Sequence, residues 1–239
     1  MGGGVVVFDI ETQNKISDMP GAERLDQICN LQVSCLSFLV LDAERLLDPD
    51  DAAQAVDDGV MTTLWRDEDP DGRGPFEPLF RAFDDAELIV SYNGLDFDHP
   101  VLWKHSDKRR AEEHLLKAHD AFSRLRANTQ MWYKLDNLLR ANGLATKTAN
   151  GLEAIRMWND GERERLREYC EGDVWQLARL LALPELKLPG SGATRVPNYL
   201  FGMASALAAR RMSDSLRRKR ARDATDDDAS AATGMATAS

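Results

Sequence analysis

Val5, Val6, Val7 and Phe8 form an apolar, mostly β-branched run that passes directly into Asp9, Ile10 and Glu11. Such a run reads as a buried strand ending at Asp9. Side chains two apart on an extended chain share a face, so Asp9 and Glu11 project together from the end of an apolar element. Two anions held close to a core are costly unless a partner or a cation compensates them. The blander alternative is two solvated carboxylates at a strand-to-loop junction.

The rest of the chain sets this strand in an α/β pattern. Residues 31–41 (LQVSCLSFLVL) and 88–92 (LIVSY) read as further strands, and 62–65 (TTLW) as an edge strand. Residues 48–58 are an acidic loop or short surface helix, 67–75 (DEDPDGRGP) a loop, and 76–83 an amphipathic helix. From His99 onward the spacing is helical. Leu135, Leu138, Leu139 and Leu144 repeat at helical intervals, as do Leu152, Ile155 and Trp158. Leu166, Tyr169, Cys170, Val174, Leu177, Leu180 and Leu181 then form a long stripe that Pro184 stops. Residues 188–197 make a Gly/Pro loop, and a last helix is expected from Tyr199 to about Arg211. Strands interleaved with helices predict an α/β domain. The expected divisions are a catalytic domain over 1–188, a loop-and-helix extension with a basic run over 189–222, and a disordered tail over 223–239, where Asp, Ala, Thr, Ser and Gly dominate.

Two further segments carry chemistry. Tyr92-Asn93-Gly94-Leu95-Asp96-Phe97-Asp98-His99-Pro100 follows the 88–92 strand with turn residues and opens a helix. Asp98 is either that helix's N-cap or a metal ligand, roles that two carboxylate oxygens allow together; Asp96 competes with it. Tyr169 and Asp173 lie four apart on one face of the long helix, where a carboxylate among apolar neighbours needs a partner or a metal. Gly172 beside it costs about 1 kcal/mol relative to Ala, which a close neighbour or ligand would explain.

In order, D-x-E, Y-N-x3-F-D-x-P and Y-x3-D resemble the motifs of the DEDD superfamily of ribonuclease H-like 3′–5′ exonucleases, over about residues 5–183. Residues 134–180, including Gly151-Leu152-Glu153-Ala154 and Tyr169-Cys170-x2-Asp173-Val174, look like family B polymerase-like and helicase-associated members. One branch has His five before the last aspartate and the other Tyr four before. Here Glu168 and Tyr169 occupy those positions, so the chain looks like the tyrosine branch.

The resemblance implies a ribonuclease H-like fold, with a mixed central β-sheet flanked by helices, in which Asp9, Glu11, Asp98 and Asp173 hold two divalent ions. All-oxygen ligands suit Mg²⁺ or Mn²⁺, which would lie about 3.5–4 Å apart. Tyr169 would orient the attacking water. An ordinary phenol, with a pKa near ~10, is a poor base, so deprotonation falls to the metal. Thr12, Asn93 and Phe97 would meet substrate, although Phe97 also suits the core. Lys147 and Asp120 fall at positions resembling family landmarks. The implied substrate is the 3′ end of single-stranded DNA or RNA. The 239 residues hold no polymerase or helicase domain, so the chain would act alone or with a separate partner of that kind. The rival functions are an inactive ribonuclease H-like adaptor and a metal-dependent endonuclease.

The formal net charge of -10 argues against nucleic-acid binding driven by the whole protein's field. The basic stretch 104–110 (KHSDKRR) offers a local phosphate patch or a solvated helix end. Three cysteines without a CxxC pair give neither a zinc site nor a disulfide framework and suit a reducing compartment. No signal peptide and no membrane-length apolar run is read, so an intracellular protein is expected, cytoplasmic or nuclear. The basic residues from Arg217 to Arg222 read as a nuclear address, a nucleic-acid arm or a solvated tail.

Overall fold

The computed structural model describes residues 4–69, 72–146, 150–192, 195–198 and 201–236, with side chains through 219. Five strands form the main sheet: β1 (Gly4–Thr12), β2 (Val33–Asp42), β3 (Val60–Trp65), β4 (Ala86–Ser91) and β5 (Ala118–Asp120). Their order is β3-β2-β1-β4-β5. β1 is antiparallel to β2 and parallel to β4, and β4 is parallel to β5, so the sheet is mixed. The helices are α1 (Arg24–Asn30), α2 (Ala43–Leu47), α3 (Ala52–Asp57), α4 (Glu77–Asp85), α5 (Asp98–Leu102), α6 (Lys108–Leu115), α7 (Ala121–Thr129), α8 (Leu135–Ala141), α9 (Gly151–Asn159) and α10 (Arg163–Ala182). β6 (Glu185–Lys187) and β7 (Arg195–Pro197) pair antiparallel beyond α10.

The two faces of β1 have opposite characters, as strand alternation requires. Val6, Phe8 and Ile10 enter an apolar layer with Leu36, Phe38, Phe80 and Phe83. Asp9 and Glu11 take the other face, where α10 packs on β1 and β2. Their cross-strand neighbours there are Ser37 and Cys35. Thr63 of β3 continues this polar row: its hydroxyl donates to Glu171 at 2.6 Å and lies 2.8 Å from the Ser37 hydroxyl. α10 is thereby tied to the sheet two residues before Asp173.

β1 runs on to Thr12 rather than ending at Asp9, because its pairing with β2 continues through Glu11↔Cys35. β5 interrupts the stretch read as wholly helical from His99 onward. At three residues, Ala118-His119-Asp120 has no period to detect; its pairing with Ile89, Val90 and Ser91 makes it a strand.

Two caps explain local sequence. Asn150 and Glu153 form a reciprocal capping box at α9, which gives the G-x-E-A run a folding role. α10 stops at Ala182 because Leu183, before Pro184, is extended. The Asn198 amide donates to the Leu180 and Leu181 carbonyls at that end.

The first compact unit covers Met1–Met203, including the β6–β7 pair. The second unit covers Ala204–Ser239. α11 (Met203–Ala236) supplies its helix, and its backbone is helical through much of the segment whose composition suggested disorder. No helix among the described residues is long and apolar enough to cross a membrane.

Candidate metal centre and adjoining cleft

β1 and β4 are paired only as far as Val7↔Val90. β4 then turns away at Ser91 while β1 continues, opening a crevice beyond the carboxyl end of a parallel pair, where α/β sheets bind ligands. Asp9 and Glu11 stand on β1 at this crevice, and Asp173 reaches it from α10. One oxygen from each of the three carboxylates lies within 4.8 Å of the others. Glu11 and Asp173 are 7% and 4% exposed, so their repulsion is poorly screened by water. Three hard oxygen donors at this spacing fit a divalent cation.

Asp98 is the first residue of α5, also 4% exposed. Its side chain does not cap α5, whose N-cap is Phe97. Instead Asp98 Oδ1 accepts the Ile10 N–H at 3.2 Å. That N–H lies on the edge of β1 that β4 has left, between Asp9 and Glu11 in the chain. Asp98 is thus tied to the strand segment that carries Asp9 and Glu11. Asp96 is exposed on the turn.

The turn before α5 is built to bring Asp98 there. Asn93 adopts a positive φ of 68°, which Asn tolerates better than most residues. A Cβ at Gly94 would lie 2.6 Å from Ser91 Cβ and 3.1 Å from Asp98 Oδ2, so only glycine fits. The Gly94 carbonyl accepts from Phe97 N and His99 N. Asp120, buried at the end of β5, accepts the Asn93 and Leu95 N–H groups at 3.2 and 3.0 Å and the Ser123 N–H at 2.9 Å. Asp120 therefore braces the turn while capping α7.

The other expected site residues have varied surroundings. Tyr169 is buried, one turn before Asp173, among Cys35, Ala154, Met157, Leu166 and Cys170. The Thr12 hydroxyl donates to the Asn14 carbonyl at 3.1 Å. Phe97 is half-buried against the apolar layer under β1. Lys147 lies outside the described residues. Cys35 and Cys170 are wholly buried, and burial followed by the neighbouring Cys35 pushes the Cys170 thiol up. A Cβ on Gly172 would meet nothing within 4 Å, so no close protein neighbour explains that glycine.

The basic stretch 104–110 is divided: Lys104 and Arg110 turn toward their own domain, whereas Lys108 and Arg109 are exposed. Arg110 pairs with Glu77 and Asp84, each at 2.7 Å; Arg109 pairs with Glu113; Lys104 donates to the backbone carbonyls of Cys29 and Leu31. Arg110 and Lys104 are thereby occupied, while the exposed Lys108 and Arg109 pair only along α6, with Glu112 and Glu113.

Asp9 also opens into a cleft of about 510 Å³, bordered by Tyr92, Asn93, Phe122, Trp132 and Lys134. Of these, Asn93 was expected at the site. Phe122 and Trp132 were not, although an aromatic pair (Trp132, Tyr133) in the polar stretch before α8 was the available signal.

A mixed sheet with carboxylates grouped at its parallel seam defines an α/β protein with a candidate divalent-metal centre. The family model of the RNase H superfamily matches residues 53–183, more than half of the chain, and the chain belongs to that superfamily. Among solved structures, it is similar to the family B DNA polymerase from the hyperthermophilic archaeon Pyrobaculum calidifontis. Identity is 19% and the TM-score 0.49, over 75% of this chain and 24% of the polymerase. No curated protein matches the sequence.

Proposed function

We propose that this chain is a metal-dependent 3′–5′ exonuclease of the tyrosine branch of the DEDD group, acting on single-stranded DNA or RNA. The observation that carries the proposal is the grouping of Asp9, Glu11 and Asp173 oxygens within 4.8 Å, with Asp98 bonded to the backbone between the first two. The four carboxylates would hold two Mg²⁺ or Mn²⁺ ions. Bound there, the ions would supply an activated water and charge stabilisation at the leaving oxygen.

The chain's own groups do the positioning. Glu11 and Asp173 are buried and leave little room to reorient. The Ile10 N–H holds one oxygen of Asp98 in place. Tyr169, four residues before Asp173, orients the attacking water through its hydroxyl. Asn93 lines the cleft next to Asp9. Asn93, Thr12 and Phe97 contact the terminal nucleotide.

Degradation of strands labelled at the 5′ end tests the proposal. Stepwise shortening in Mg²⁺ or Mn²⁺ supports it. Internal cuts, or unchanged activity on a blocked 3′ end, contradict it.

A further inference from the structure

The metal centre gives no reason for the aromatic wall of the cleft that Asp9 enters. Tyr92, Phe122 and Trp132 follow one another along it, with ring centroids 5.6 and 5.3 Å apart and each pair tilted by 60°. The rings come from separate pieces of chain: the turn after β4, the first turn of α7 and the segment before α8. The Tyr92 hydroxyl donates to the Tyr133 carbonyl, which holds the Trp132 segment against the turn. Tyr92 and Phe122 are half-buried, whereas Trp132 is 66% exposed.

One exposed indole is ordinary on a protein surface. This one ends a line of rings that begins beside a candidate metal ligand, and a guanidinium stacks on it. The Arg126 guanidinium lies 3.7 Å from the Trp132 ring centre, and Lys134 places an exposed ammonium at the same cleft. Aromatic faces next to cations match the two parts of an unpaired nucleic-acid strand, its bases and its phosphates. The cleft's volume is within the usual range for binding sites of about 300–1,000 Å³.

We infer that Tyr92, Phe122 and Trp132 form a stacking wall for the unpaired bases behind a strand's 3′ end, given that the metal centre acts on such ends as proposed above. Trp132 is the outer platform, and Arg126 and Lys134 meet the backbone. A base inserted between two rings needs roughly 7 Å, twice the ~3.4 Å base step. Spacings of 5.3 and 5.6 Å leave no such slot, so bases lie against the free ring faces. Every base has such a face, so the wall tolerates any sequence. Bases in a duplex are already stacked and paired, so the wall selects single strands.

Fluorescence anisotropy with divalent ions chelated measures binding apart from hydrolysis. The probes are a labelled oligothymidylate, an oligouridylate and a matched duplex, added to the intact chain. The wild type is expected to bind the single strands better than the duplex. Trp132→Ala should weaken single-strand binding about tenfold, and Trp132→Phe should restore most of it. Phe122→Leu, which keeps bulk but loses the ring, should weaken it as well. Equal binding by Trp132→Ala and wild type, or no single-strand preference in the wild type, overturns the inference. Ring-dependent binding without 3′ degradation by the wild type would leave the wall standing and remove the exonuclease proposal. Degradation with ring-independent binding would do the reverse.

Discussion

The Asp98 carboxylate accepts the backbone N–H of Ile10 at 3.2 Å, across 88 positions of chain. The bond joins the second acidic motif to the strand that carries the first. Asp98→Asn can keep an oxygen on Ile10 N–H while losing its charge, so the fold should persist. Activity should fall by about 10³-fold or more, because stabilisation by metal is worth several kcal/mol. Asp96→Ala, on the exposed turn, should be mild. Urea denaturation alongside the nuclease assay checks both, and equal activity in the two variants would show that Asp98 is not the ligand.

Two glycines should respond in opposite ways to alanine. At Gly94 the new methyl meets Ser91 and approaches the Asp98 carboxylate, so Gly94→Ala should cost stability and displace Asp98. At Gly172 the space is open, and a helix interior favours alanine by about 1 kcal/mol, so Gly172→Ala should stabilise the chain. Denaturation midpoints decide; a destabilised Gly172→Ala would reveal a neighbour that the protein's own atoms do not supply.

Arg110 tests whether the basic stretch acts structurally. It ties α6 to Glu77 and Asp84 of α4, and Asp84 also bonds His114 at 2.7 Å. Arg110→Ala should cost about 1–2 kcal/mol, tempered by partial exposure of Asp84, and leave nuclease rates unchanged. A large rise in KM without loss of stability would return the stretch to a phosphate-binding role.

Stability should also fall with mild acid. Burial, then the nearby Lys104 and Arg66, pushes His105 down to about 4, and burial lowers His114 and His119 as well. An unfolded histidine titrates near ~6.5, so between those values the unfolded chain binds more protons than the folded one. The histidine contribution is complete above the unfolded pKa and is lost as pH falls from there toward about 4. Below that, protonation of Glu77 and Asp84, whose pKa values Arg110 helps lower, removes further stability. Denaturation midpoints measured from neutral pH downward check this, and a flat profile between pH ~6.5 and ~4 would contradict it.

Much of this protein was legible in sequence because its signals are local. Val5 to Phe8 and the stripe from Leu166 to Leu181 have the periods of a strand and a helix, and Asp9 with Glu11 shares a face by alternation alone. What stayed hidden depends on distant contacts. β5 is a strand because β4 lies beside it. Asp120 braces Asn93 and Leu95 from 27 and 25 residues away. Phe122 and Trp132 join one cleft only after α7 and α8 fold. The basic stretch was ambiguous for the same reason, since its acidic partners on α4 lie 26 and 33 residues earlier.

The most direct measurement is degradation of matched DNA and RNA strands, labelled at the 5′ end, with Mg²⁺ or Mn²⁺, comparing the intact chain with Asp9→Ala. Stepwise shortening from the 3′ end is expected, abolished by chelation and by Asp9→Ala. Internal cleavage, or shortening that survives Asp9→Ala, would contradict a metal-dependent 3′–5′ exonuclease centred on Asp9, Glu11, Asp98 and Asp173.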